Sequence, residues 1–271
     1  MSVDSMNRTP PASVRHELRA EVGFGCPVEG CGCPLLEFHH FDPPWRELEH
    51  HNPSGMIALC ATHHGEADAY TRQQCREMKA NGRQNAENTR WKFKWRRNEI
   101  LLLVGSNWFY RNQIAIQSGN QPVVWFTRDD DGYLLLNVHM LTTSGEARAE
   151  ILDNEWVSTG NEADIEAPPL ARKVKISYPN GDMLKVEFNP LDSFEEAQAA
   201  YPPISESWNL QFPLVVVEVE MNVANSPVRL NSRETAFATN RMMGCFVASS
   251  GGPAVQIPPP HAFGQNALRI G

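Results

Sequence analysis

Two short runs of this sequence hold the donor types and spacing of a tetrahedral metal site. Cys26-Pro-Val-Glu-Gly-Cys31 and Cys60-Ala-Thr-His63 each carry two soft or borderline ligands across a tight turn, and two such pairs make up the donor set of a structural zinc site, Zn²⁺ being held by thiolate and imidazole. Cys33 is an alternative to Cys31; Cys31 is preferred because the Gly32 that follows it permits a sharp turn beneath a bound thiolate. The clustering is general, since seven of the nine histidines and four of the six cysteines precede residue 65. Three more histidines, His39, His40 and His64, lie between the two pairs or directly after the second. Neighbouring residues on a strand point to opposite faces, so His39 and His40 cannot easily ligate one ion, and a division of labour follows. Cys75 and Cys245 stand alone and read as ordinary core or surface thiols.

The elements that must position these donors can be read from local pattern. Residues 9–21 predict a short helix, with Thr9 as cap, proline tolerated in the first turn and Val14, Leu18 and Val22 four apart, stopped by Gly23 and Gly25. Leu35 to Phe41 and Met56 to Leu59 predict two short strands around a polar loop with Pro43, Pro44, Pro53 and Gly55. Thr62 to about Lys79 lacks proline and predicts one helix ending at Asn81-Gly82.

With Cys26 and Cys31, the His39-His40 pair with proline soon after, Met-Ile-Ala-Leu-Cys60 and Cys60-Ala-Thr-His63-His64 in place, residues 24–68 resemble the HNH endonucleases of the ββα-metal fold, in the subgroup with a zinc-stapled finger. The resemblance covers about 45 of 271 residues. It implies that His39 and His64 ligate a catalytic Mg²⁺ or Mn²⁺, that His40 is the general base, and that a phosphodiester is hydrolysed to a 5′-phosphate and a 3′-hydroxyl. Such chemistry needs a cation to neutralise the phosphate and the leaving oxygen, and a base to deprotonate water; imidazole titrates in the right range. The family's middle asparagine corresponds to Gly55 here. Asn52 is the loop's one asparagine and the candidate to bridge it instead, while His50 and His51 read either as extra ligands or substrate contacts or as solvated polar residues. Trp45 reads as a lid on the finger or as a contact to a base.

Composition bounds the rest. With 41% hydrophobic and 21% charged residues in 271, the chain folds rather than staying disordered. No apolar run approaches the roughly 20 residues of a membrane span, and the first ten residues lack the apolar stretch of a secretory signal, so the expected address is the cytoplasm, where thiols stay reduced and a disulfide framework is the weaker reading. The net charge of −8 divides into +1 for residues 1–98 and −9 for 99–271, and residues 69–97 hold nine basic against two acidic side chains. Net acidity therefore does not exclude nucleic acid. From Arg90 to Arg97 basic and aromatic residues alternate, and Arg90, Lys92, Lys94, Arg96 and Arg97 are candidates to track phosphates while Trp91 and Trp95 stack or pack.

The expected fold class is α+β: an N-terminal ββα-metal nuclease domain with a basic helical extension in residues 1–98, then an all-β domain in 99–271, sandwich or β-solenoid. The second part reads as β-branched runs divided by turn pairs such as Asp131-Gly132 and Asn180-Gly181, with a helical interruption at Ser193 to Ala200. It shows no second catalytic motif, and reads as a regulatory unit that binds a protein partner, forms a homo-oligomer or senses a ligand. The whole then looks like the nucleases of bacterial defence systems. The functional expectation is a metal-dependent endonuclease acting on DNA, with RNA open; the rival is a zinc-stapled nucleic-acid-binding or scaffold protein without catalysis.

Overall fold

The computed structural model describes residues 6–82, 90–92, 99–168, 172–237, 240–248, 251–258 and 269–270. Helix α1 (Ala12–Glu21) is followed by strand β1 (Leu36–His40), strand β2 (Met56–Cys60), a one-turn helix α2 (Ala61–Gly65) and helix α3 (Arg72–Gly82). β1 and β2 pair antiparallel, with Leu36 opposite Cys60 and His40 opposite Met56. The expected single helix over 62–79 is two. The break comes at Thr71, whose N–H donates to Gln74 Oε1 at 2.8 Å while Thr71 Oγ1 accepts from Gln74 N at 3.2 Å, a reciprocal cap that starts α3 afresh. β2 is buried along its whole length, and Met56, Ile57 and Leu59 form a core with Leu18 and Val22 from the α1 side and Cys75 of α3. Lys79 of α3 clamps the unit by donating to the Pro53 carbonyl, to the Met56 carbonyl at 2.7 Å and to Glu21 at 2.9 Å.

The rest of the chain is strands: β3 (Arg90–Lys92), β4 (Ile100–Val104), β5 (Asn107–Tyr110), β6 (Ile114–Ser118), β7 (Gln121–Arg128), β8 (Leu134–His139) and β9 (Leu141–Thr142). These are followed by β10 (Glu150–Leu152), β11 (Glu155–Val157), β12 (Asp164–Glu166), β13 (Lys173–Ser177) and β14 (Met183–Leu191). Helix α4 (Phe194–Ala200), capped by Ser193 where the sequence predicts a helical interruption, precedes β15 (Leu214–Asn222). The chain ends with β16 (Arg229–Asn231), β17 (Glu234–Phe237), β18 (Asn240–Met242), β19 (Phe246–Ala248), β20 (Val255–Ile257) and β21 (Arg269–Ile270). A seven-stranded sheet runs β20-β6-β7-β8-β10-β11-β3, and a ten-stranded one runs β12 to β18 in chain order with β4, β5 and β19 attached beside β15. Alternate residues of both sheets, Val124, Leu136 and Ile151 from one and Val174, Val186 and Val217 from the other, meet in one buried core. That is a two-sheet sandwich, and the solenoid alternative falls away.

The architecture is mixed α and β with strands predominant. One boundary shifts: Arg90–Lys92 is an edge strand of the seven-stranded sheet, paired with β11, and not part of a helical extension. The two parts also touch directly, through a backbone bridge between Leu35 and Ala167, through Phe24 and Leu35 packed on the sandwich core, and through Arg19, which pairs with both carboxylate oxygens of Asp164 at 3.0 and 2.7 Å. No helix among the described residues is long and apolar enough to cross a membrane.

Candidate metal centre and histidine cleft

The ligand quartet forms as the spacing predicts. Cys26, Cys31, Cys60 and His63 offer donor atoms that all lie within 4.8 Å of one another, the one such group of three or more ligands among the described residues. The first pair sits on a knuckle: Cys26 N donates to the Cys33 carbonyl, Cys31 N to Val28 and Gly32 N to Cys26, and Gly32 takes φ +61°. The second pair joins the end of β2 to the first turn of α2. Cys31 Sγ and Cys60 Sγ are 3.8 Å apart, which matches the edge of about 3.8 Å of a tetrahedron with metal–sulfur bonds of about 2.3 Å. His63 Nδ1 lies 3.3 Å from Cys26 Sγ and 3.2 Å from Cys60 Sγ, slightly inside that edge. The hydrogen bond with Cys26 holds the Cys31 thiol down to about 5, while the same bond and burial raise Cys26, so the knuckle already favours a thiolate. Cys33 is buried, pushed up to about 12 by that burial, and stands outside the quartet. The arrangement can bind a metal and has the shape that a structural zinc requires.

β1 turns its histidines to opposite sides. His39, half-buried, meets His64 edge to face with ring centroids 5.7 Å apart. The Nδ1 of His64 lies 3.1 Å from a carboxylate oxygen of Glu37, two residues from His39 on the same face; a carboxylate on Nδ1 fixes the tautomer and leaves Nε2 as the lone-pair nitrogen, the usual support of a metal-binding imidazole. Burial, then His64, pushes His39 below the ordinary histidine value, which keeps it neutral and able to ligate, while Asp68 pulls the other way. The pair is looser than the thiolate quartet, and Glu37 and Asp68 supply carboxylates near it.

His40 faces the other way and is 4% exposed. Its Nε2–H donates to the His50 carbonyl at 3.0 Å, so Nδ1 carries the lone pair, and that atom is buried with no hydrogen-bond partner. Trp45 packs over the ring at 4.7 Å between centroids and stacks in turn on His51. Burial, followed by His50, pushes His40 down to about 4. His39, His40, Trp45, Asp68 and Arg8 line one cavity of ≈ 530 Å³.

The loop between the strands is bridged, though not by Asn52. The Asn52 side chain accepts from Ser54 N at 3.1 Å and caps the short turn at Pro53–Gly55. His50 spans the loop instead, donating from Nε2 to the Pro43 carbonyl at 2.9 Å and accepting from Asn52 N on Nδ1 at 3.1 Å. Gly55 closes the other side, its carbonyl accepting from Phe41 N and Asp42 N at 2.9 and 3.1 Å, and a Cβ there would collide with the Asp42 carbonyl oxygen. Gly55→Ala should therefore cost about 1–3 kcal/mol of stability, read by urea or thermal unfolding; an unchanged midpoint would show that the loop shifts without strain.

The basic stretch is partly neutralised. Arg72 and Arg76 both pair with Asp42, and Arg72 also reaches Glu47 at 3.5 Å. Arg90 and Lys92 lie on edge strand β3, whereas Lys94, Arg96 and Arg97 fall outside the described residues. Sequence reasoning missed three residues that belong to the site: Arg8, which only the fold brings beside His39 and His40; Glu37, whose place two before His39 on a strand was a readable signal; and His50, which acts through its carbonyl. No family model, no curated protein and no solved structure matches the chain.

Proposed function

We propose that this chain is a divalent-metal-dependent endonuclease of the HNH type, hydrolysing phosphodiester bonds of DNA, with Cys26, Cys31, Cys60 and His63 holding a structural zinc. The observation that carries the reading is the cavity that His39 and His40 line together: His39 meets His64, and His40 has its Nε2–H held by the His50 carbonyl, so that Nδ1 is a bare acceptor. His39 and His64 would hold Mg²⁺ or Mn²⁺, with Glu37 orienting His64. When bound, the ion supplies positive charge to the phosphate and to the leaving oxygen. His40 takes the proton from the attacking water at Nδ1, and the His50 carbonyl stabilises the imidazolium that forms. His40 is a weak base while covered, but an arriving phosphate favours its protonated form and strengthens it. Arg8 adds positive charge on the wall of the same cavity.

The sandwich, with most of the chain's negative charge, is read as the unit that regulates or targets the nuclease through a protein partner, a second copy or a ligand. One observation favours the rival of a binding module without catalysis: His40 Nδ1 is buried, in a ring packed against Trp45, so water does not reach it in this arrangement. Supercoiled plasmid separates the two readings. Nicking or linearisation with Mg²⁺ or Mn²⁺, stopped by EDTA, is expected; DNA binding with neither DNA nor RNA cut under either metal would establish the rival.

A further inference from the structure

A second cleft, of ≈ 460 Å³, lies where the N-terminal unit meets the sandwich, walled by α1, β1 and the β12–β13 pair. Its lining holds four cations, Arg8, Arg15, Arg19 and Lys173, against two carboxylates, Glu37 and Glu166. Their states differ. Arg19 is committed to Asp164, and Lys173 reaches Glu166 at a loose 3.4 Å while Lys175 holds the same carboxylate at 3.1 Å. Arg8 and Arg15 make no ion pair among the described residues, and the Nε of Arg15 is buried with no hydrogen-bond partner. A guanidinium N–H taken from water without an acceptor is costly, and an anionic acceptor relieves that cost best. The first turn of α1 carries no acidic residue, and Glu21 at its other end is held by Lys79 at 2.9 Å. The cleft adjoins the histidine cavity: Arg8 lines both, His64 lines this one and His39 the other.

We propose that this cleft is a phosphate-binding extension of the histidine cavity that seats the nucleic-acid backbone beyond the cleaved bond, with Arg15 and Lys173 as its contacts. The inference rests on the endonuclease reading and adds to it that the acidic sandwich contributes directly to the substrate site, through a strand that faces the nuclease unit. The phosphate arriving at Lys173 replaces its weak hold on Glu166, and that at Arg15 pairs with a guanidinium that has no ion pair among the described residues.

Full-length protein in a His40→Ala background, which spares the probe, would be titrated with labelled duplex DNA by fluorescence anisotropy. Arg15→Gln, Lys173→Gln and, as control, Lys175→Gln each remove one charge, and Lys175 lies two residues along β13 outside the cleft. A lost phosphate contact flattens the salt slope by about 0.9, so the ratio of parent to variant affinity should shrink about 3.5-fold between about 50 and 200 mM salt for Arg15→Gln and Lys173→Gln. Lys175→Gln should show no such change. Melting and zinc content verify folding, and either variant alone suffices if the other misfolds. If both variants match Lys175→Gln in affinity and slope while the parent binds and the native chain cuts, the cleft assignment is overturned and the nuclease reading stands; if the parent binds no DNA, both fall.

Discussion

His40→Ala should slow plasmid cleavage by roughly 10²- to 10⁴-fold, the contribution of a positioned general base, while leaving the chain folded and its DNA affinity close to that of the native chain. The fold loses a buried ring and one hydrogen bond to a loop carbonyl, so the variant should melt somewhat lower yet keep its zinc and its fold. His39→Ala should act differently, raising the Mn²⁺ concentration needed for cleavage and recovering part of the rate at saturating metal. The pH profile carries the same signature. Since burial and His50 hold His40 near 4, its base form persists well below the ordinary histidine value of about 6.5. With saturating Mn²⁺ and DNA well below KM, the acid limb of kcat/KM, which reports the free enzyme, should therefore lie below that value, and it should move upward in Trp45→Ala, where the ring regains water. Full activity in His40→Ala would remove the mechanism whatever the rest of the site looks like.

How much of this was legible depends on whether a feature is local. The metal quartet was readable because each half is a turn of a few residues, and the choice of Cys31 over Cys33 followed from Gly32, which does take the left-handed conformation. The opposite facing of His39 and His40 is the strand period itself. The helix break at Thr71 was also written in the chain, as Thr71-x-x-Gln74, and was outweighed by the absence of proline. His50 was not readable as the partner of His40, since it acts through a backbone carbonyl that every residue type possesses. The sheet order was hidden for a different reason: β4 lies parallel to β15 with Ile100 opposite Val215, and a pairing across more than a hundred residues leaves no periodic mark. The second cleft belongs to this class, since Arg15 and Lys173 are brought to one cleft only by the packing of α1 against β12, the neighbour of β13.

Purified chain should carry about one zinc, and Cys60→Ser should lose it together with the structure of the N-terminal unit. Cys60 ends β2, the strand at the centre of the smaller core, and with His63 it is what ties that strand and α2 to the knuckle. The unit has few other means of holding its 26–33 turn, because its hydrophobic core draws on little more than α1, two short strands and α3. Structural zinc in finger-sized units is worth about 10–16 kcal/mol of apparent binding free energy, far above what such a core supplies. The sandwich has its own core and should persist, so the transition of the N-terminal unit should be lost in the variant while that of the sandwich is retained in near-native form. Chelation at low pH should reproduce the variant in the native chain, because thiolate and imidazole must both be deprotonated to bind. Cys33→Ala provides the discriminating control: it removes a buried thiol of the same cluster and should cost a cavity's worth of stability while keeping the metal. If Cys33→Ala lost the zinc and Cys31→Ala kept it, the knuckle would have to rearrange so that Cys33, and not Cys31, completes the tetrahedron.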